Sequence, residues 1–215
     1  MADKTTRIKG FADLFPPESD AFTFMESTVR EVFGAHGYEE LRLPVLERTE
    51  LFARSIGDET DVVQKEMYTF TDRGDRSLTL RPEATAGVMR AYTEGARHTL
   101  EPISKYFTYG PMFRYERPQK GRLRQFHQIN CECLGAEEPH ADAEVIIMLM
   151  QFLTRLGIKD LSVSLNSLGC KECRPAYREA LHAFLQTLDK DRLCVDCLRR
   201  MDKNPLRVLD CTMPY

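Results

Sequence analysis

The chain has 215 residues, 42% hydrophobic and 29% charged, with a formal net charge of −3 and a pI near 6.0. This is the make-up of a soluble globular protein with one large domain, or one domain and a small appendage. It excludes extended disorder and a polyanion-binding charge spread over the whole surface. The start, Met1 to Arg7, lacks the apolar core of about 7–15 residues that marks a secretory signal. The longest apolar run, Val145 to Met150, falls far short of the roughly 20 residues that span a bilayer. A cytoplasmic protein without membrane partners is expected, with its 7 cysteines free or metal-bound rather than in disulfides.

Pro16-Pro17-Glu18-Ser19-Asp20 reads as a helix start, with Ser19 or Asp20 available as the cap. Phe22, Met25, Val29, Val32 and Phe33 then give one apolar helical face, ended by Gly34 or Gly37. Leu41, Leu43 and Val45 alternate as a short strand, and Pro44 restricts it to an edge or interface. Met67–Phe70 and Ser77–Leu80 flank a turn containing Gly74, a hairpin pattern. Pro82 starts a helix carrying Val88, Met89 and Tyr92. Strand patterns return at Lys105–Glu116 and Gln125–Leu134, followed by an amphipathic helix from Ala141 to Leu156 that Gly157 closes. Leu161–Leu165 alternates as a strand, and the tail from Cys170 reads as helices at Pro175–Leu188 and Leu193–Met201. Strands arrive in hairpin pairs, so the expectation is an α+β domain: an antiparallel sheet with helices packed on it.

Between Arg114 and Arg124 stand Arg114, Arg117, Lys120, Arg122 and Arg124 against one acid, Glu116. Strand alternation puts Met112, Arg114 and Glu116 on one side of the outgoing strand. On the return strand Phe126, Gln128, Asn130 and Glu132 share one face and His127, Ile129 and Cys131 the other. A row of hydrogen-bonding groups across a sheet is a floor for a polar ligand. A fixed guanidinium beside it would compensate charge growing on phosphoryl oxygens, and a nearby carboxylate and amide could hold an ammonium. These residue types suit nucleotidyl transfer to an amino acid.

Phe113-Arg-Tyr-Glu116, a short loop, and Phe126-His-Gln128 together resemble motif 2 of the class II aminoacyl-tRNA synthetases. Gly37-Tyr-Glu-Glu-Leu-Arg-Leu-Pro44 is similar to motif 1 of that class. Arg81-Pro-Glu-Ala-Thr85, Arg124-Gln-Phe-His-Gln128, Cys131-Glu132 and Asn204-Pro-Leu-Arg-Val-Leu-Asp210 narrow the resemblance to the histidyl-tRNA synthetases, from about Arg7 to Asp210.

The resemblance implies a histidine–tRNA ligase that uses ATP and Mg2+ to make histidyl-adenylate and passes histidine to tRNA(His). It implies a homodimer through the region of Pro44. Arg114 would be the catalytic residue, on the α-phosphate and the substrate carboxylate. Glu116 would hydrogen-bond adenine, Phe126 would stack on it, and Arg122 or Arg124 would reach the outer phosphates. Glu83, Ala84 and Thr85, with Gln128 and Glu132, would bind histidine. Read without the resemblance, Glu83 is a helix-start acid. Residues 1–168 would form the catalytic core and 169–215 the start of an insertion domain. The sequence holds no counterpart of motif 3, of the segment resembling Arg-Gly-Leu-Asp-Tyr-Tyr or of an anticodon-binding domain. The expectation is therefore half of an ATP site, which does not turn over alone. The alternative function is a regulatory paralogue, the histidine-sensing subunit of an ATP phosphoribosyltransferase. A class II synthetase for proline, threonine or glycine, or a zinc-bearing module without catalysis, stand behind it.

Cys170-Lys-Glu-Cys173 and Cys194-Val-Asp-Cys197 have the spacing of a four-cysteine structural zinc site, with Cys211 as an alternative ligand. Unligated thiols and a redox pair are the other readings. Cys131 and Cys133 fall on one strand face as core thiols.

Overall fold

In the computed structural model, which describes residues 5–56, 63, 66–167, 169–211 and 213, Pro17 leads into helix α1 (Glu18–Ala35). The expected caps Ser19 and Asp20 lie inside it. Glu18 and Asp20 instead put negative charge at the positive end of the helix. At its other end Gly37 takes φ +78. The Gly37 N–H donates to Gly34 O at 3.0 Å and the Tyr38 N–H to Phe33 O at 3.0 Å. This double bond pattern stops the helix and turns Tyr38 back onto Phe33.

No strand forms over Leu41–Val45. The pairing falls on either side, at β1 (Glu39–Glu40) and β2 (Leu46–Arg48). Pro44 has no N–H to offer a ladder, and the carbonyls of Leu43 and Pro44 accept from the Arg81 guanidinium at 3.0 and 3.4 Å. Helix α2 (Thr49–Ile56) follows and buries Phe52 fully. The first hairpin is β3 (Tyr68–Thr71) and β4 (Ser77–Leu80), its turn closed by Asp72 Oδ1 on the Gly74 and Arg76 N–H groups. Helix α3 (Thr85–Glu94) precedes the long hairpin of β5 (Ser104–Phe113) and β6 (Gln125–Leu134). Strand β5 stops at Phe113, so Arg114 and Glu116 lie beyond the ladder. Helix α4 (Pro139–Arg155) begins two residues earlier than the apolar pattern indicates, with Pro139 in the first turn.

The strands make two sheets, β1-β5-β6 and β2-β4-β3. All pairs are antiparallel except β1 with β5, which is parallel. The α+β expectation therefore holds, with one parallel edge.

The chain divides into two compact units, Met1–Leu161 and Ser162–Tyr215. In the first, Val29, Val32 and Phe33 of α1, Phe107 of β5, and Met148 and Phe152 of α4 form one buried cluster with Tyr38. The Phe33 ring is its hub, edge-on to Tyr38, Phe107 and Phe152 at 6.2, 5.6 and 5.7 Å. Such aromatic pairs contribute about 0.5–1.5 kcal/mol each beyond their burial.

The second unit contains α5 (Cys173–Gln186) and α6 (Val195–Lys203), followed by a 3-10 turn at Pro205–Val208. Its buried cluster is Leu181, Leu185, Leu193, Cys197, Met201 and Val208. The alternation at Leu161–Leu165 forms no strand, and Val163 and Leu165 stay exposed. Among the described residues, no helix is long and apolar enough to cross a membrane.

Candidate active site

Strand β6 sorts its side chains as its sequence alternates. Ile129, Cys131 and Cys133 pack against the α1–α4 cluster. Burial raises the Cys131 thiol above its ordinary range, as for a core thiol. His127, on the same side, lies edge-on to Phe22 at 4.8 Å. On the other face the polar row is joined by its own hydrogen bonds. Gln128 Nε2 donates to Asn130 Oδ1 at 3.4 Å, and Asn130 Nδ2 to Glu132 Oε1 at 2.8 Å. Among the described residues, no cation makes a salt bridge with Glu132. Opposite Gln128 in the ladder stands Gly110. It has φ +148, and a Cβ there would lie 2.6 Å from Arg81 Nη2. The absence of a side chain lets Arg81 lie against the strand.

Arg81 is buried, and burial lowers its affinity for its proton. Its Nε donates to Pro111 O at 2.9 Å and its Nη1 to the Leu43 and Pro44 carbonyls. The Phe113 N–H returns to Arg81 O at 3.0 Å. One side chain thus pins the Pro44 segment to β5, just ahead of the segment Pro82–Thr85.

Two residues on, Glu83 Oε2 accepts from the Thr85 N–H at 2.6 Å and Oε1 from the Ala86 N–H at 2.9 Å. The carboxylate caps α3 from outside its first turn, where free amide donors and the dipole favour an anion. Arg114 Nε donates to Pro82 O at 2.9 Å, and its guanidinium lies over the Phe126 ring at 5.2 Å. Both contacts fix the plane of the guanidinium. Its terminal nitrogens make no hydrogen bond among the described residues.

The loop cations separate into two kinds. Arg122, largely exposed, lies 3.4 Å from the Glu116 carboxylate. Arg124 is held: Nε donates to Glu116 O at 3.2 Å and the guanidinium stacks on Tyr115 at 3.7 Å. Its N–H reaches Gly10 O at 2.7 Å. Sequence reasoning did not pick out Gly10, and it gave Arg81 no role beyond its place in a motif. Gly10 has φ +90 and approaches Arg124 so closely that a Cβ would stand 2.7 Å from its Cγ. Phe11, Tyr68 and Tyr115 brace the same corner, with ring centres 6.2 Å apart for Phe11–Tyr68 and 5.5 Å for Tyr68–Tyr115.

Residues 10–206 match the family model described as Histidyl-tRNA synthetase. The chain belongs to the histidyl-tRNA synthetase family. A histidine–tRNA ligase of Nitratidesulfovibrio vulgaris is 73% identical over 211 residues, which are 98% of this chain and 51% of that protein. One from Geobacter metallireducens is 56% identical over 96% of this chain and 50% of its own length. The apo histidyl-tRNA synthetase of S. aureus superposes with a TM-score of 0.73 at 37% identity, covering 98% of this chain and 49% of that one. A Bacillus halodurans protein titled ATP phosphoribosyltransferase regulatory subunit/histidyl-tRNA synthetase shares the fold, with a TM-score of 0.67 at 18% identity. The chain spans about half the length of the curated relatives it matches.

Within this chain, the structure brings Arg114, Phe126 and the Pro82–Thr85 segment together, with Gln128 and Glu132 further along the same strand face. It does not leave every expected group open. The Glu83 carboxylate is engaged by two backbone amides, the Glu116 carboxylate has Arg122 beside it, and Phe126 carries Arg114 on one face.

The expected zinc ligands fall into two groups. Cys170, Cys173, Cys194 and Cys197 do not converge as one four-sulfur set. Cys194, Cys197 and Cys211 have their sulfurs within 4.8 Å of one another, while Cys170 and Cys173 form a separate pair with sulfurs 3.4 Å apart. The reason is the 3-10 turn at Pro205–Val208, which returns the chain to the start of α6; local CxxC spacing carries no signal of that turn.

Proposed function

We propose that this chain supplies the histidine-binding and α-phosphate-binding half of the catalytic domain of a histidine–tRNA ligase. Residues 1–168 are read as the catalytic core and 169–215 as the start of an insertion. The observation that carries this reading is Arg114. Its Nε is occupied by the Pro82 carbonyl and its plane is held over Phe126, so a bidentate fork is preorganised with its two terminal nitrogens open. Attack of the histidine carboxylate on the α-phosphorus of ATP builds charge on the phosphoryl oxygens, which such a fork stabilises without reorganising. Glu132, bonded to Asn130 and lacking a cation among the described residues, is suited to an ammonium, and Gln128 to a further polar group of the substrate.

Glu116, Phe126 and Arg122 are assigned to the nucleotide, which would enter as its Mg2+ complex. The firm anchoring of Arg124 makes it a brace of the loop and leaves Arg122 as the cation with reach. Glu83, Ala84 and Thr85 line the histidine side through the start of α3. The product would pass to tRNA(His). Val45 and Leu46, which follow Pro44, are exposed and suit burial in a homodimer. The presence of Glu83, Thr85, Arg114, Gln128 and Glu132 together favours the ligase over a histidine-sensing paralogue.

The test is histidine-dependent pyrophosphate exchange by the full-length protein. Arg114→Ala is expected to lower the rate roughly 10²–10³-fold, the loss for one preorganised donor. An unchanged rate, or exchange that depends on a different amino acid, overturns the reading.

A further inference from the structure

Helix α6 begins at Val195 with Cys194 at its N-cap and Cys197 in its first turn. Cys197 is fully buried, whereas Cys194 and Cys211 are half-buried. Cys211 arrives from the other direction, after the turn at Pro205–Val208, with its N–H on Val208 O at 3.2 Å. Three side chains from two segments therefore bring their sulfurs within 4.8 Å of one another.

Simple packing does not call for this. A buried thiol behaves as a small apolar group, but two of these three are partly exposed and all three still aim at one point. A disulfide does not fit either, since it joins two sulfurs and leaves the third. Four sulfurs set tetrahedrally around zinc at about 2.3 Å lie about 3.8 Å from one another. Cys194 and Cys211 are 3.9 Å apart. The buried cluster of this unit is small, and a core of that size commonly depends on a metal or other staple. The segment from Asn204 to Cys211 has no strand or long helix to hold it, and a metal would tie it to α6.

We propose that Cys194, Cys197 and Cys211 bind one zinc ion as thiolates, with one further ligand completing the tetrahedron and Cys170 and Cys173 outside the site. Each thiol that coordinates releases its proton to solvent. The role is structural: the ion fixes the return of the chain onto α6. The assignment does not rest on the ligase reading.

The experiment uses the full-length protein purified without chelator or added zinc. Elemental analysis is expected to find about one zinc per chain. Cys194→Ser and Cys211→Ser should lose it, and the double variant Cys170→Ser/Cys173→Ser should keep it. Zinc-free folded wild-type protein overturns the proposal. So does zinc retained in Cys194→Ser or Cys211→Ser, or lost from the Cys170/Cys173 double variant. Where a serine variant fails to fold, alkylation of the wild-type protein gives an independent answer. Bound zinc should protect Cys194, Cys197 and Cys211 from iodoacetamide and leave Cys170 and Cys173 reactive, with protection removed by chelator. Equal reactivity of all five with and without chelator overturns it.

Discussion

In the Met1–Leu161 unit, every residue of β5 pairs with one of β6, and α1 and α4 bury one face of that hairpin. In the Ser162–Tyr215 unit no strand forms among the described residues, and the buried cluster consists of Leu181, Leu185, Leu193, Cys197, Met201 and Val208. The first region fixes side chains by register. A one-residue slip would turn Ile129 and Cys131 out of the core and the polar row into it. The second has only short helices and a turn, so its geometry depends on a few side chains. Arg114 and Glu132, the groups proposed to act on the substrate, stand on or beside the part that is over-determined.

The largest expected effect tests whether the polar face of β6 is that kind of surface. Glu132→Ala should weaken histidine binding by about 3–5 kcal/mol, because an enclosed ammonium loses its counter-charge. Titration calorimetry on the full-length protein measures this directly. Unchanged affinity would mean that the row from Gln128 to Glu132 is only a solvated sheet face, and the comparison would lose its functional half.

A pair of cavity variants tests the structural half. Met148→Ala, at the centre of the α1–α4 cluster, and Leu185→Ala, in the cluster of the second unit, remove fully buried side chains. Each should cost about 2–5 kcal/mol. The difference should lie in what unfolds. Leu185→Ala is expected to open residues 173–208 to proteolysis while β5 and β6 stay protected, because the small cluster has little margin. Met148→Ala should lower the stability of the sheet-bearing unit and leave it folded. Mass spectrometry of limited digests separates these outcomes, and early cleavage within β5–β6 in the Leu185→Ala protein would contradict the comparison.

The same contrast explains what the sequence revealed. The two faces of β6 were legible because strand period is fixed at two, and the residues on each face differ in polarity. The core face of α1 was legible because Val29, Val32 and Phe33 repeat at helical spacing. Leu41–Val45 alternates equally well, but strand formation needs a partner, and Arg81 takes its carbonyls instead. Leu161–Leu165 alternates without a strand partner among the described residues. The approach of Cys211 to Cys194 and Cys197 was less legible than the two CxxC pairs, since its place depends on a distant return of the chain. Gly10 and the clamping role of Arg81 were missed for a similar reason. A glycine's role depends on what approaches it, and a buried guanidinium on which carbonyls surround it.

Gly110→Ala gives a smaller effect and tests the Arg81 clamp. The new Cβ would stand 2.6 Å from Arg81 Nη2, at a backbone angle of +148 that side chains disfavour. Arg81 cannot swing aside cheaply, because Nε and Nη1 are bonded to backbone carbonyls of two segments. A loss of about 1–3 kcal/mol in urea denaturation is expected, together with weaker histidine binding through displaced Gln128. Wild-type stability would show that the guanidinium is not held there.

The smallest effect concerns charge at the edge of the sheet-bearing unit. Lys105 Nζ donates to Glu144 Oε2 at 2.6 Å, and His36 Nδ1 lies 3.4 Å from Oε1. The Lys105 hydrogen bond is the main cause holding the Glu144 carboxyl below its ordinary value of 4.5, against the opposing push of partial burial. A carboxyl lowered on folding stabilises the folded state at pH values above its unfolded pKa. That contribution fades as pH falls through 4.5 and is gone below the folded value. Its size should be no more than about 1 kcal/mol, as for exposed ion pairs. The stability difference between wild type and Glu144→Gln should therefore be constant near neutrality and shrink below about pH 4.5, as read by urea denaturation at matched salt. A difference that persists unchanged in acid would mean that Glu144 acts through packing on α4, and that even the rim of this unit is fixed by fit rather than charge.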